Sequence, residues 1–272
     1  MPRVPATLDH AQAALSAARG AGLAVERAEV ARVASNVLVR LAPGPFAARL
    51  TGATEGFRDS TANLRREARI AAALAAAGAP VPAPLGGPYE AGGRAVTLWP
   101  WVEVRGDAGD AEQAGSALRA CHDALADLDR AGLELEPLAM LTEARRLAAG
   151  ALPEILPAVD HALATLGAAP HRIVHGDSHP GNVLWTAGGP LWSDWEDAHL
   201  APLEWDLGCL VSGHACAATT SAGPRRRWPL MGARSTRRCS TPASTRASRR
   251  GPRTWRRRVA VTPRRFIDVW TG

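Results

Sequence analysis

Short apolar segments and amphipathic helical segments alternate along the first hundred residues. Three segments rich in Val and Leu, at 25–33, 36–41 and 46–50, are separated by turn-forming residues, so they predict three antiparallel strands. Apolar residues recur every three to four positions over 7–20 and 60–77, which predicts one helix before the three strands in the sequence and one after them.

The rest of the chain is mainly helical in its pattern. Helices are predicted over 107–131, 138–149 and 159–166, and a last one from about residue 202. Further strands are predicted at 96–102, 173–175, 183–185 and 191–193. Strands with one helix followed by many helices predict a two-lobed α+β fold with a small β-rich N-lobe and a helical C-lobe, and the cleft between the lobes is a natural ligand site.

Charge and composition change abruptly near residue 215. Residues 1–215 hold 17 Arg and 25 acidic residues, a net charge of −8, whereas 216–272 hold 15 Arg and one acid, a net charge of +14. The second region is too poor in Leu, Ile, Val and Phe to form a core. We therefore predict an N-lobe at 1–103, a C-lobe at 104–215 that is incomplete, and an Arg-rich tail at 216–272.

The tail has two interpretations. It contains no Lys and is rich in Arg, Pro and Ser, as expected if the reading frame of a GC-rich gene slips between about 211 and 225. Alternatively it is a disordered basic segment that binds nucleic acid through phosphate charge, although we do not expect nucleic acid as a partner.

The remaining composition predicts a cytoplasmic protein that has no membrane partner. The four cysteines form no CxxC pair, and the first residues, MPRVPATLDH, lack a basic segment followed by an apolar one. No stretch is continuous and apolar enough for a membrane span.

Residue types suited to phosphoryl transfer are concentrated in HGDSHPGNVLW, 175–185, and SDWED, 193–197. Asp177 and Asn182 lie on a predicted turn, and the hairpin that follows should return Asp194 to the side of Asn182. One carboxylate can deprotonate an attacking hydroxyl, while the amide oxygen and the other carboxylate hold Mg²⁺. The H-x-D-x-H text within this segment leaves a metallohydrolase as an alternative.

These segments, with EWDLG further on, resemble the signature of the aminoglycoside phosphotransferase and choline kinase family, which has a protein-kinase-like fold. The resemblance implies ATP and Mg²⁺ as cofactors, with Asp177 as the catalytic base. It implies Asn182 and Asp194 as magnesium ligands. It also implies that His175 supports the catalytic loop, and that a buried Asp206 braces this loop by hydrogen bonds.

The resemblance also assigns nucleotide-binding residues to the N-lobe. Arg49, on the third predicted strand, would neutralise the α- and β-phosphates and pair with Glu67 on the next helix. Protein kinases have Lys at this position, and Arg is bulkier and not equivalent. Arg40 is a rival for this role, and surface positions for Arg49 and Glu67 are the alternative.

Two further segments resemble nucleotide-binding parts of the family. The turn with Ser35 and Asn36 resembles the loop that covers the phosphates, although it lacks the glycine motif and suits an ordinary hairpin equally well. Trp99 and Trp101 resemble the inter-lobe hinge that binds adenine, and simple lobe packing is their alternative.

The resulting hypothesis is an ATP-dependent phosphotransferase that moves the γ-phosphate to a hydroxyl of a small molecule. The acids Glu196, Asp197 and Glu204 near the site favour a cationic acceptor, such as an aminoglycoside-like or choline-like alcohol. Because the tail replaces helices that line the acceptor pocket in the family, a catalytically impaired remnant of such a kinase is a second hypothesis. Nucleic-acid binding through the tail is a third.

Overall fold

The N-lobe is built on an antiparallel sheet whose strands follow the hydrophobic alternation of the sequence. The structure is a computed structural model that describes residues 6–52, 60–105 and 109–220. Of the tail predicted at 216–272, residues 216–220 belong to the last helix, Glu204–Thr220, and residues 221–272 lie outside the described residues. Five strands pair in the order β1-β2-β3-β5-β4. They are β1 (Arg27–Val33), β2 (Asn36–Ala42), β3 (Phe46–Thr51), β4 (Gly86–Ala91) and β5 (Arg94–Pro100).

Strand β3 has two differently used faces, because successive side chains point to opposite sides of a sheet. Ala48 and Leu50 are buried in an apolar cluster that includes small residues of helix α1 (Ala6–Gly20). Ala47 and Arg49 line a cavity on the opposite side. The alternation of β3 therefore sends the one charged side chain of this strand into the space between the lobes.

The C-lobe surrounds a core in which helix side chains pack against tryptophans of a short hairpin. Leu118, Cys121 and Leu125 are buried together with Trp185 and Trp192. The helices are α3 (Ala111–Ala126), α4 (Ala139–Ala151), α5 (Leu156–Gly167) and α6 (Glu204–Thr220). Strand β6 (Arg172–Val174) pairs with β9 (His199–Ala201), and β7 (Val183–Thr186) pairs with β8 (Gly189–Trp192).

Helix α2 (Ser60–Ala76) joins the two lobes. It packs against β3, β4 and β5 of the sheet, and its Ile70 and Leu74 belong to the core cluster of the C-lobe. It also contacts the short 3₁₀ helix Trp195–Asp197, which follows β8. Side chains of α2 are thus fixed relative to both lobes.

The predicted α+β class, with a β-rich N-lobe and a helical C-lobe, is confirmed. Two strands were not predicted from the sequence, β4 with its Gly-Gly-Pro start and the three-residue β9. Helix α3 is shorter than predicted, because Asp110 caps its start by accepting a hydrogen bond from the Glu112 amide and regular helix ends at Ala126. None of the described helices combines the length and apolarity that crossing a membrane requires.

Candidate active site

A cavity lies between the lobes. Its lining includes Arg49 and Glu67 from the N-lobe, Trp99 and Trp101 from the end of β5 and the segment after it, and Asp194 from the C-lobe. Five of the residues that the sequence assigned to nucleotide and metal binding thus face one space. Its other walls are mainly apolar, which suits a planar ring with a charged group at one end.

The guanidinium of Arg49 is the centre of a charged cluster in this cavity. Its Nη1 donates to Glu67 Oε1 at 2.6 Å, and its Nη2 lies 2.5 Å from Asp194 Oδ1 and 3.3 Å from Glu196 Oε1. Arg49 and Glu67 are both buried. The fork of Arg can serve three carboxylates at once, whereas the single ammonium of Lys has no such planar geometry.

Negative charge exceeds positive charge in this cluster. Burial opposes the charged form of Arg49, yet Asp194, Glu67 and Glu196 together raise its pKa above the ordinary value. Burial raises the pKa of Glu67, Arg49 opposes this effect, and the nearby Asp194 and Glu196 raise the pKa further. Burial and Asp194 also raise the pKa of Glu196, against the opposing effect of Arg49. A cation near Asp194 would relieve this excess of negative charge.

Asp177 and Asn182 lie on one tight turn and contact each other. Asn182 Nδ2 donates to the Asp177 carbonyl at 2.8 Å and lies 3.3 Å from Asp177 Oδ2. The backbone N–H and hydroxyl of Ser193 both donate to the Asn182 carbonyl, at 3.0 and 2.9 Å. The β7–β8 hairpin therefore returns the chain to Asn182 one residue before Asp194. The neighbouring His179 imidazole is the main cause that lowers the pKa of Asp177, against burial.

His175 and Asp206 support this turn through hydrogen bonds from the interior of the C-lobe. His175 Nε2 donates to the Ser193 carbonyl at 2.9 Å, and its ring packs against Trp192 and Trp195. Asp206 is fully buried and accepts the backbone N–H groups of His175 and Gly176, at 2.7 and 3.0 Å. His175 is thus a buried support, and its Nδ1 accepts a hydrogen bond from the Asp177 backbone N–H at 3.3 Å.

Asp206 has a further partner that the sequence did not indicate. His122 Nε2 lies 2.7 Å from Asp206 Oδ2, and both side chains are buried. His122 comes from the middle of α3, 84 residues away in the chain. In the sequence, the one indication that His122 is buried was its position next to Cys121 on the apolar face of that helix.

Gly176 has no room for a side chain. Its φ is +90°, and a Cβ built there would lie 2.1 Å from the Asp197 carbonyl oxygen. We expect Gly176→Ala to lower the free energy of unfolding by about 1–3 kcal/mol, the usual cost of a strained backbone position. Chemical denaturation measures this. Gly150→Ala, at a helical glycine with nothing within 4 Å of the added Cβ, is the control; equal stability of the two variants would contradict the prediction.

Of the other N-lobe residues considered from the sequence, one contacts the charged cluster and two do not. Asn36 Nδ2 donates to Glu196 Oε2 at 2.6 Å, which brings the β1–β2 turn to the charged cluster. Ser35 is exposed at the same turn and does not line the cavity. Arg40 lies away from the cluster, with its guanidinium 4.8 Å from the ring centre of Trp101.

Glu196 has a different place from the one expected. The sequence suggested a surface acid that attracts a cationic acceptor, but its carboxylate contacts Arg49 and Asn36 and its carbonyl accepts from Arg66 Nη1 at 2.7 Å. It therefore ties the segment after β8 to the N-lobe.

Oxygen atoms suited to Mg²⁺ remain available beside this cluster. Among the described residues, Asn182 Oδ1 and Asp194 Oδ2 accept no hydrogen bond. One amide and one carboxylate oxygen are few for a metal held by protein alone, but they fit Mg²⁺, which is commonly completed by substrate phosphates and water. The described part of the chain contains no group of three or more His, Cys, Asp or Glu side chains placed to hold a metal, so the metallohydrolase alternative gains no support.

Comparisons with known proteins agree with this geometry. A family model described as the phosphotransferase enzyme family matches residues 26–237, and no curated protein matches significantly. Among solved structures, the amicoumacin kinase hAmiN in complex with AMP-PNP and Ca²⁺ aligns with a TM-score of 0.59 at 15% identity, over 73% of this chain and 66% of that one. A choline/ethanolamine kinase family protein from Mesorhizobium loti aligns with a TM-score of 0.51 at 21% identity, over 70% and 65%.

A third structure is the aminoglycoside phosphotransferase APH(3'')-Id from Streptomyces rimosus, with a TM-score of 0.53 at 21% identity, over 74% of this chain and 80% of that one. The first two alignments span just under two thirds of those proteins. At these identities the likeness shows the fold alone, and it confirms the predicted kinase-like architecture.

Proposed function

Because the chain belongs to the phosphotransferase enzyme family, we propose that it moves the γ-phosphate of ATP to a hydroxyl of a small molecule in the cytoplasm. The observation that carries this proposal is the set of contacts around Arg49. They join Glu67 and Asp194 in one inter-lobe cavity, while the β7–β8 hairpin ties Asp194 to the turn that holds Asp177.

Asp177 is proposed as the base that takes the proton of the acceptor hydroxyl. Its carboxylate is partly exposed, with 47% of the side chain accessible, so an acceptor can reach it. The lowered pKa of Asp177 keeps the carboxylate ionised near neutral pH, where a base must be unprotonated. Asn182 holds this side chain through its amide nitrogen, which fixes the direction of the carboxylate.

Arg49 is proposed to bind the phosphates of ATP. Its guanidinium is held by Glu67 from α2, so it is positioned before the nucleotide arrives. Trp99 and Trp101 line the same cavity and are proposed to pack against the adenine ring. Trp99 Nε1 donates to Thr97 Oγ1 at 2.8 Å, which fixes the orientation of that indole.

Asn182 Oδ1 and Asp194 Oδ2 are the atoms proposed to hold Mg²⁺. When bound there, Mg²⁺ would neutralise charge on the transferred phosphate. Arg49 keeps the Asp194 carboxylate turned into the cavity, because it contacts the other oxygen of that group.

The acceptor is proposed to carry an amine. Asp197 and Glu204 follow the site in sequence, and the body of the chain has a net charge of −8 over 1–215. An acidic surface raises the local concentration of a cation. A related structure in complex with streptomycin supports the choice of aminoglycoside-like compounds in a first acceptor screen.

Asp194→Ala is expected to abolish the part of nucleotide affinity that depends on Mg²⁺. The variant lacks the carboxylate proposed as a metal ligand, whereas Arg49 and the apolar walls remain. Calorimetry with AMP-PNP, with and without Mg²⁺, measures this. Asp160→Ala, at a surface ion pair with Arg145, is the control. An Asp194→Ala chain that still gains affinity on addition of Mg²⁺ would exclude the assignment.

Two measurements on the full chain distinguish an active kinase from a catalytically impaired remnant. The full chain of 272 residues is tested for thermal stabilisation by ATP and Mg²⁺, and then for release of ADP in the presence of amine-bearing alcohols. Stabilisation with ADP release supports the proposal. Stabilisation without release of ADP from ATP, whichever acceptor is added, indicates the remnant.

A further inference from the structure

The imidazole of His179 lies beside Asp177, and so far it has entered the site only through its effect on the pKa of Asp177. His179 Nδ1 accepts a hydrogen bond from the Gly181 backbone N–H at 2.9 Å. Its other nitrogen, Nε2, lies 3.4 Å from Asp177 Oδ2. The ring is 42% exposed at the side chain, so burial in a core does not account for this arrangement.

The contact with Gly181 determines which nitrogen carries the proton. An imidazole nitrogen that accepts a hydrogen bond has no hydrogen, so a neutral His179 must be protonated on Nε2. That N–H belongs to the nitrogen nearest the Asp177 carboxylate. At 3.4 Å the contact is longer than an ordinary hydrogen bond, and contacts of this kind in active sites commonly shorten when substrates bind.

Two donors converge on the same oxygen of Asp177. Asn182 Nδ2 lies 3.3 Å from Asp177 Oδ2, and His179 Nε2 lies 3.4 Å from it. Within the described ranges, Asp177 Oδ1 accepts no hydrogen bond. The two oxygens of the carboxylate are therefore unequal before any substrate is present.

We propose that His179 is a positioning residue: together with Asn182 it holds Oδ2 of Asp177, so that Oδ1 takes the proton of the acceptor hydroxyl. This inference rests on the proposed phosphotransferase function. It identifies the atom of the base that reacts, and it explains why a histidine that closes its own turn also contacts that base.

Two substitutions separate the two contacts of His179. In His179→Asn the side-chain oxygen stands near the position of Nδ1, so it can still accept from the Gly181 N–H, but nothing reaches Asp177. In His179→Gln the longer side chain places an amide N–H near the position of Nε2, so the donor to Asp177 is restored.

Steady-state kinetics of the full chain with ATP, Mg²⁺ and an amine-bearing alcohol tests the proposal. We expect His179→Asn to lower kcat by ~10–100-fold, as loss of a residue that orients a reacting group does. KM for ATP and the unfolding temperature should stay near those of the unmodified chain. His179→Gln should recover much of kcat. An unchanged kcat in His179→Asn, or a slower His179→Gln than His179→Asn, would overturn the positioning role and leave a loop-closing role alone.

A second measurement does not depend on turnover. Nitrogen-15 NMR of the histidine rings distinguishes a protonated Nε2 from a protonated Nδ1, and His179→Asn assigns the resonance. The inference requires Nε2–H, and a ring protonated on Nδ1 would overturn it even in an active enzyme. If the unmodified chain releases no ADP with any acceptor, the proposed function fails, and the NMR result still decides whether His179 donates toward Asp177.

Discussion

Asp177→Asn is expected to lower the rate of phosphate transfer by about 10²–10⁴-fold, the usual contribution of a general base. The amide has nearly the same shape as the carboxylate, and its oxygen can still accept a hydrogen bond from Asn182 Nδ2. It cannot take a proton from the acceptor hydroxyl. ADP release at saturating ATP and acceptor measures kcat, and titration of ATP gives its KM.

The kinetic pattern matters as much as the size of the effect. Asp177 does not line the cavity that holds Arg49, so KM for ATP should remain close to that of the unmodified chain. Asp123→Asn, at an exposed position of α3, is the matched control, and we expect it to be fully active. Unchanged turnover in Asp177→Asn would remove this residue from the chemistry.

Asp206→Ala is expected to lower the free energy of unfolding by about 3–5 kcal/mol, because it removes a buried carboxylate and leaves several buried donors without an acceptor. This is a large part of the roughly 5–15 kcal/mol that a folded domain has. The substitution leaves the buried N–H groups of His175 and Gly176 without an acceptor, and His122 loses the carboxylate that it contacts. Urea denaturation followed by tryptophan fluorescence measures the change.

The pH dependence of this effect has a definite sign. Burial favours the neutral form of Asp206, but the hydrogen bond from His122 and the backbone N–H of His175 outweigh it and hold the pKa of Asp206 below its ordinary value. A group whose pKa is lower in the folded state stabilises above its unfolded pKa, about 4, and loses this contribution as pH falls through the folded value.

The stability difference between the unmodified chain and Asp206→Ala should therefore be constant near neutral pH and shrink below about pH 4. Asp123→Ala is the control on α3, where the carboxylate is largely exposed. A difference of less than about 1 kcal/mol at neutral pH would place Asp206 among ordinary buried polar groups. It would then not be a main support of the turn that holds Asp177 and Asn182.

Local patterns predicted the strands and helices that carry strong signals. The predicted strand segments of the N-lobe sheet lie within a residue or two of β1, β2 and β3, because Val and Leu alternate there between clear turns. Strand β4 escaped prediction because Gly86, Gly87 and Pro88 suppress its pattern, and its pairing with β5 shifts register between Gly86 and Tyr89. Strand β9 is stabilised by β6, which lies 25 or more residues earlier.

In the candidate site, too, contacts between residues near in sequence could be predicted, and contacts between distant elements could not. Sequence spacing within one hairpin was enough to predict that Asp194 returns toward Asn182, because a short turn fixes where the chain goes. The partners of Asp206 and Arg49 were harder to predict. His122 and Glu196 reach them from elements far along the chain, and only the packed fold determines which charged groups meet.

Asp194 adopts a left-handed backbone conformation, with φ 72° and ψ 50°. Side chains other than glycine lose roughly 1–2 kcal/mol in this region, and Asp tolerates it better than most. The residue proposed to bind the metal thus stands where glycine would fit with less strain. Asp194→Gly would relieve this strain, but it would also remove a carboxylate that contacts the buried Arg49 and the oxygen proposed to bind Mg²⁺. A redesign that optimised backbone strain alone would therefore discard the residue on which the proposed chemistry depends.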